Sequence, residues 1–164
     1  MKPIFEQAKS DPKRIAYAEG EDLRVLRAVQ IAVDDGLAIP ILVGRPAVIE
    51  ANIKKLGLRL EDGVNITIVD QEKNPNYEMF ADDYYNIMQR KGVTPEYAQR
   101  EARRRSTLIA AMLVKHGMAD GMLCGTYSSY DIHLDFVSNI IGKKDGHNTF
   151  FTLNIHDETN LWTG

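Results

Sequence analysis

The chain has 164 residues, 44% of them apolar and 26% charged, with a formal net charge of −3. That is the length of one domain, enough to bury about 70% of its unfolded surface. The mild acidity argues against a nucleic-acid surface and leaves small anions open. The single cysteine, Cys124, excludes an internal disulfide and points to a reducing compartment. No run approaches the ~18 apolar residues of a membrane span. The start, "MKPIFEQAK", lacks the apolar stretch and cleavage site of a secretory signal, so the cytoplasm is the expected location.

Apolar runs alternate with helical patterns along the chain. "RIAYAE" (14–19) reads as a strand, and "DLRVLRAVQIAVDDG" (22–36) as a helix capped by Asp22 and ended by Gly36. "AIPILVG" (38–44) is the next strand. "RPAVIEANIKKLG" (45–57) is a helix with Pro46 in its first turn and Gly57 at its end. "NITIVD" (65–70) alternates like a strand. Three helices follow without a strand between them: 76–92, 94–105 after the Thr94-Pro95 start signal, and 106–117, whose apolar character nearly all round predicts burial. "DGMLCG" (120–125) returns to strand character. "SSYDIHLDFVSNIIG" (128–142) is an amphipathic helix opened by Ser128-Ser129 and closed by Gly142, and "NTFFTLNIHD" (148–157) reads as a last strand.

The order β-α-β-α-β-ααα-β-α-β is that of an α/β fold: a mostly parallel sheet with helices on both faces. Nothing after the last strand covers it, and Trp162 looks exposed. A parallel sheet is covered on both faces, so the chain reads as cut where a strand crosses into a further unit.

Two glycine-containing turns follow strands and precede helices, "EGED" at 19–22 and "GTYSS" at 125–129. The free N–H groups of a helix start favour an anion, so Gly125, Thr126, Ser128 and Ser129 are candidate contacts, with plain helix capping as the competing role. Arg24 stands in the first turn of its helix, where the dipole disfavours a cation. A partner is therefore expected, either Glu19 or Glu21 or a ligand phosphate. Glu19 ends its strand at the crevice. His133 reads as a partly exposed helix residue, Cys124 as a buried inert thiol, Asp82 and Asp83 as solvated, and Arg103, Arg104 and Arg105 as a solvated helix face. The four histidines and one cysteine have no metal-ligand spacing, and the common nucleotide-binding and nucleophile motifs are absent.

"YAEGEDLRVLRA", "PILVGRPAVIEANIKKLGL", "RKGVTPEYAQREARRRSTLIAAMLVKHGMADGMLCGT" and "HLDFVSNIIG", in this order, resemble the phosphate acetyltransferase (phosphotransacetylase) family. The likeness is strongest to the phosphotransacetylase-like domain at the C-terminus of bacterial NADP-dependent malic enzymes, where "MKPIF" is similar to the segment that joins the two parts. The resemblance implies two α/β subdomains with a coenzyme A cleft between them. Residues 1–146 would form the first subdomain and 147–164 the start of a truncated second.

It further implies an acetyl-CoA site in which Arg24 and Glu19 face the coenzyme beside Gly125, Thr126, Ser128 and Ser129. Two arginines that hold phosphate in the family are replaced, by Met88 and by Leu134 (or His133, with a one-residue gap). No catalytic residue and no metal ligand are expected in this chain. The implied role is acetyl-CoA-responsive regulation and homo-oligomer assembly of a covalently linked malic-enzyme domain. That domain would turn malate into pyruvate with NADP and Mg²⁺ or Mn²⁺. The implied alternatives are an active phosphate acetyltransferase, making acetyl phosphate from acetyl-CoA and phosphate with rearranged ligands such as His133 and Arg90, and an assembly module with a vestigial cleft.

Overall fold

The computed structural model describes residues 2–143. In chain order the elements are α1 (Lys2–Ser10), β1 (Lys13–Tyr17), α2 (Leu23–Asp34), β2 (Ala38–Gly44), α3 (Pro46–Leu56), β3 (Thr67–Asp70), α4 (Tyr77–Met88), a 3₁₀ turn (Gln89–Lys91), α5 (Pro95–Arg104), α6 (Ser106–Lys115), β4 (Gly121–Leu123) and α7 (Tyr130–Ile140). The four strands form one parallel sheet in the order β3-β2-β1-β4. The expected α/β class and helices on both faces are borne out. The strand expected at 148–157, Trp162 and the second subdomain lie outside the described residues.

Strand side chains alternate between two cores, as the period of two requires. Ala16, Ala18, Ile41 and Val43 point to one face, where α4, α5, α6 and α7 pack through Phe80, Ala98, Leu108, Met112 and Phe136. Tyr17 and Leu42 point to the other, against Leu26 and Val29 of α2 and Ile49 and Ile53 of α3. The alanines of β1 leave room for α6, buried without interruption from Thr107 to Leu113 between the sheet and the other helices. Each large apolar side chain so enclosed contributes about 1.5–3 kcal/mol.

The sequence signals account for most boundaries. Asp22 caps α2 by accepting from the N–H groups of Arg24 and Val25. Pro46 opens α3, and Gly57, left-handed at φ 63°, closes it. Thr94 caps α5 through the Tyr97 N–H. Helix α1 was not expected from the sequence: it is nine residues long, and Ile4 and Phe5 on it are exposed, so no core-facing stripe announces it.

From β1 the chain steps to β2 and β3 on one side and reaches β4 on the other. The strand order therefore reverses between β1 and β4, and the crevice at their carboxyl ends is where such sheets present their ligand sites.

Candidate functional site

Beyond β1, the Ala18 N–H still pairs with the Leu123 carbonyl at 3.0 Å, and the Gly20 N–H with the Val43 carbonyl at 3.1 Å. A β-carbon at Gly20 would stand 2.9 Å from that same carbonyl oxygen, so only glycine lets the turn lie this close to β2.

The three acids of this turn have three separate tasks. Asp22 caps α2 and receives the Arg24 guanidinium, whose hydrogen bond is the largest reason its carboxyl is held below the usual range. Glu21 receives Arg45, the residue after β2, through Nε at 2.9 Å and Nη2 at 2.7 Å; these bonds hold its carboxyl down as well. Glu19 is buried, and its carboxylate crosses the switch point to accept the Gly125 N–H at 3.1 Å and the Thr126 hydroxyl at 3.2 Å.

The second turn, after β4, is therefore tied to the first by two struts. One is Glu19 from below. The other is Arg24, whose Nη2 donates to the Thr126 carbonyl at 3.1 Å. Gly125 takes φ 106°, which glycine alone adopts freely, and Ser128 takes φ 75°, uncommon for a residue with a side chain. His133 holds the turn from α7: its Nε2 lies 2.7 Å from the Tyr127 carbonyl and its Nδ1 2.9 Å from the Thr107 hydroxyl.

Several expectations are corrected here. Arg24 pairs with neither Glu19 nor Glu21 but with Asp22 and the Thr126 carbonyl, because its first-turn position puts it beside the cap. His133 is buried rather than partly exposed, since α7 packs on α6 and brings it to Thr107. Ser129 precedes α7 without a side-chain cap bond, and it and Ser128 are exposed. Asp83 lies 2.8 Å from His116 Nε2, off the hydrogen-bond direction, whereas Asp82 is exposed. The basic run is exposed but not idle: Arg103 stacks on the Tyr77 ring at 4.1 Å and Arg105 pairs with Glu101.

Met88 is buried in the core between the sheet and α4–α7, Leu134 is half-buried, and Arg90 is exposed in the turn after α4. The Cys124 thiol is half-buried, and burial first and the Glu19 charge second push it up and away from reactivity.

A cleft of about 380 Å³ opens at this crevice, with Glu19, Glu21, Arg45, Arg104 and Tyr127 among its walls. Arg45 and Tyr127 were not singled out from the sequence, and Arg104 was read there as part of a solvated helix face. The signal for Arg45 was available: it stands at a third strand-to-helix turn, directly after "ILVG". The cleft is at the small end of ligand pockets. Among the described residues no cluster of three or more His, Cys, Asp or Glu side chains is arranged to hold a metal ion. No helix among them is long and apolar enough to cross a membrane.

The family profile for phosphate acetyl/butaryl transferases matches residues 1–163. The chain belongs to that family. It is 50% identical over 154 residues to the NADP-dependent malic enzyme of Haemophilus influenzae and 47% identical to that of Salmonella typhimurium, in each case over 94% of this chain and 20% of the relative. It is 35% identical over 129 residues to the phosphate acetyltransferase of Acetivibrio thermocellus, 79% of this chain and 37% of that one. The chain thus spans about a fifth of the malic enzymes it matches. Its fold superposes on a phosphotransacetylase from Streptococcus pyogenes with a TM-score of 0.77 at 26% identity, covering 89% of this chain and 44% of that one.

Proposed function

We propose that this chain is the acetyl-CoA-sensing, phosphotransacetylase-like part of a malic enzyme, and that it does not itself transfer acetyl groups. The parent protein oxidatively decarboxylates malate to pyruvate with NADP and Mg²⁺ or Mn²⁺, and those groups bind the covalently linked malic-enzyme domain. The choice of NADP rests on the Haemophilus and Salmonella relatives; a relative from Rhizobium meliloti, 44% identical, is named an NAD-dependent malic enzyme.

One observation carries the reading: the crevice keeps its braces while Met88, where the family resemblance implies a phosphate-holding arginine, is apolar and enclosed. Glu19 and Arg24 brace the turn of Gly125, Thr126, Ser128 and Ser129, and Arg24 keeps an exposed guanidinium edge for a phosphate. Met88 is 7% exposed and packed among apolar side chains. Neither it nor Leu134 can donate to an oxyanion. Each lost charge-assisted bond removes about 1.5–3 kcal/mol of hold on phosphate.

Sensing requires only that acetyl-CoA bind two states of a homo-oligomer unequally, typically by ~1–3 kcal/mol. The test is a titration of acetyl-CoA into the intact protein and its Arg24→Ala variant. Saturable binding weakened by the substitution supports the reading, and unchanged affinity removes Arg24 from the site. Steady formation of acetyl phosphate from acetyl-CoA and phosphate would instead favour an active transacetylase.

A further inference from the structure

Beneath the second turn lies a buried carboxylate and imidazole, Glu19 and His133, and the proposed function makes no use of the imidazole. Glu19 and His133 are 4% and 7% exposed, and His133 Nδ1 stands 3.9 Å from Glu19 Oε1. The same oxygen accepts the Gly125 N–H, and the other takes the Thr126 hydroxyl. The Gly125 N–H and the Thr126 hydroxyl, two donors of this turn, are thus occupied by a carboxylate, and its charge opposes an anion approaching the turn. We infer that anion binding at this turn is coupled to uptake of a proton by His133; the inference rests on the acetyl-CoA reading above.

The hydrogen bonds dictate the steps. The Tyr127 carbonyl can only accept, so His133 Nε2 carries a hydrogen throughout. In the neutral ring Nδ1 is then an acceptor, filled by the Thr107 hydroxyl. A proton from solvent placed on Nδ1 makes the ring a double donor. The Thr107 hydroxyl can then no longer donate to Nδ1 and gives up that bond, and a closing movement of about 1 Å brings Glu19 Oε1 into its place as the acceptor of Nδ1–H. Oε1 then loosens from the Gly125 N–H, which turns toward the ligand while the imidazolium balances the carboxylate. Proton and anion therefore favour each other.

Imidazole is the side chain suited to such a change near neutral pH. Helix α7 packs on α6 and α4, and the nearby segments carry Arg24 in the first turn of α2, Cys124 after β4, and Arg104 and Arg105 just ahead of α6. Tyr84 lies on α4, its phenol pushed up to about 12 chiefly by burial, and Asp131 and Asp135 lie on α7 itself. Among the described residues, the charged partner of His133 within 4.0 Å is Glu19.

The test is calorimetric titration of acetyl-CoA into the intact protein from pH 6 to 8, in two buffers of different ionisation enthalpy. We expect net proton uptake, and affinity that rises as pH falls by up to about tenfold per unit. In His133→Gln an amide N–H still serves the Tyr127 carbonyl but no nitrogen titrates, so binding persists and the uptake disappears. Ionisation of the ligand's own phosphate is common to both proteins and cancels in the difference. If the variant does not fold, ¹⁵N shifts of His133 in the wild-type protein decide: a neutral ring that becomes doubly protonated on saturation supports the coupling, and one that stays neutral overturns it. Binding with no buffer or pH difference from His133→Gln overturns the inference and leaves acetyl-CoA sensing standing. Absence of any binding overturns both.

Discussion

Arg24 reaches from the first turn of α2 to the Thr126 carbonyl, 3.1 Å away, while Asp22 grips the same guanidinium at 2.9 Å. A cation that the dipole of its own helix disfavours is held there by the cap of that helix. Its job is to join the two turns of the crevice. Arg24→Ala should weaken acetyl-CoA binding by about 10–100-fold, the value of one charge-assisted contact. Global stability should change little, because the side chain is largely exposed. Parallel calorimetric and thermal titrations check both halves.

Gly20 lies too close to β2 for any side chain. Gly20→Ala drives a β-carbon to 2.9 Å from the Val43 carbonyl and 3.0 Å from Leu42 Cβ. The expected cost is about 1–3 kcal/mol, the usual range for overpacking. Urea denaturation reads it as a lowered midpoint. A midpoint equal to wild type would mean that the first turn stands farther from β2 than described.

Met88 tests whether the position proposed to have lost a phosphate ligand is enclosed. Met88→Arg should cost about 3–5 kcal/mol, as an uncompensated buried charge does, and should not create transacetylase activity. Met88→Leu should stay within about 1.5 kcal/mol. A stable Met88→Arg protein that forms acetyl phosphate would show that the position faces the crevice.

Asp120 pins β4 to β1. It accepts from the Arg14 N–H at 2.8 Å and from the guanidinium at 2.7 and 3.1 Å, and these bonds pull its carboxyl from 3.8 to about 2. A depressed carboxyl contributes stability above its unfolded value and loses it as pH falls toward the folded one. Asp120→Asn should therefore be less stable than wild type at neutral pH, with the gap closing between about pH 4 and pH 2. Denaturation midpoints across that range measure it.

Where a local signal and the tertiary fold agreed, the sequence was enough. Asp22, Pro46, Gly57 and Thr94 mark helix ends by chemistry that acts within a few residues, and all four serve as read. The 106–117 segment, apolar nearly all round, announced a buried helix for the same reason. The site was less legible because its bonds join residues about a hundred positions apart. Nothing near Glu19 shows that its oxygens end on Gly125 and Thr126, or that Arg24 ends on Thr126. His133 looked exposed because its own helix is amphipathic and its partner, Thr107, belongs to another. Arg45 was overlooked although the rule that flagged the other two turns applied to it equally.

The account is tested most directly by NADPH formation from malate in the intact protein as acetyl-CoA is added. It predicts a saturable change in rate whose midpoint moves to higher acetyl-CoA in Arg24→Ala, with no acetyl phosphate formed when phosphate is present. A malate-dependent rate indifferent to acetyl-CoA, together with steady production of acetyl phosphate, would contradict it.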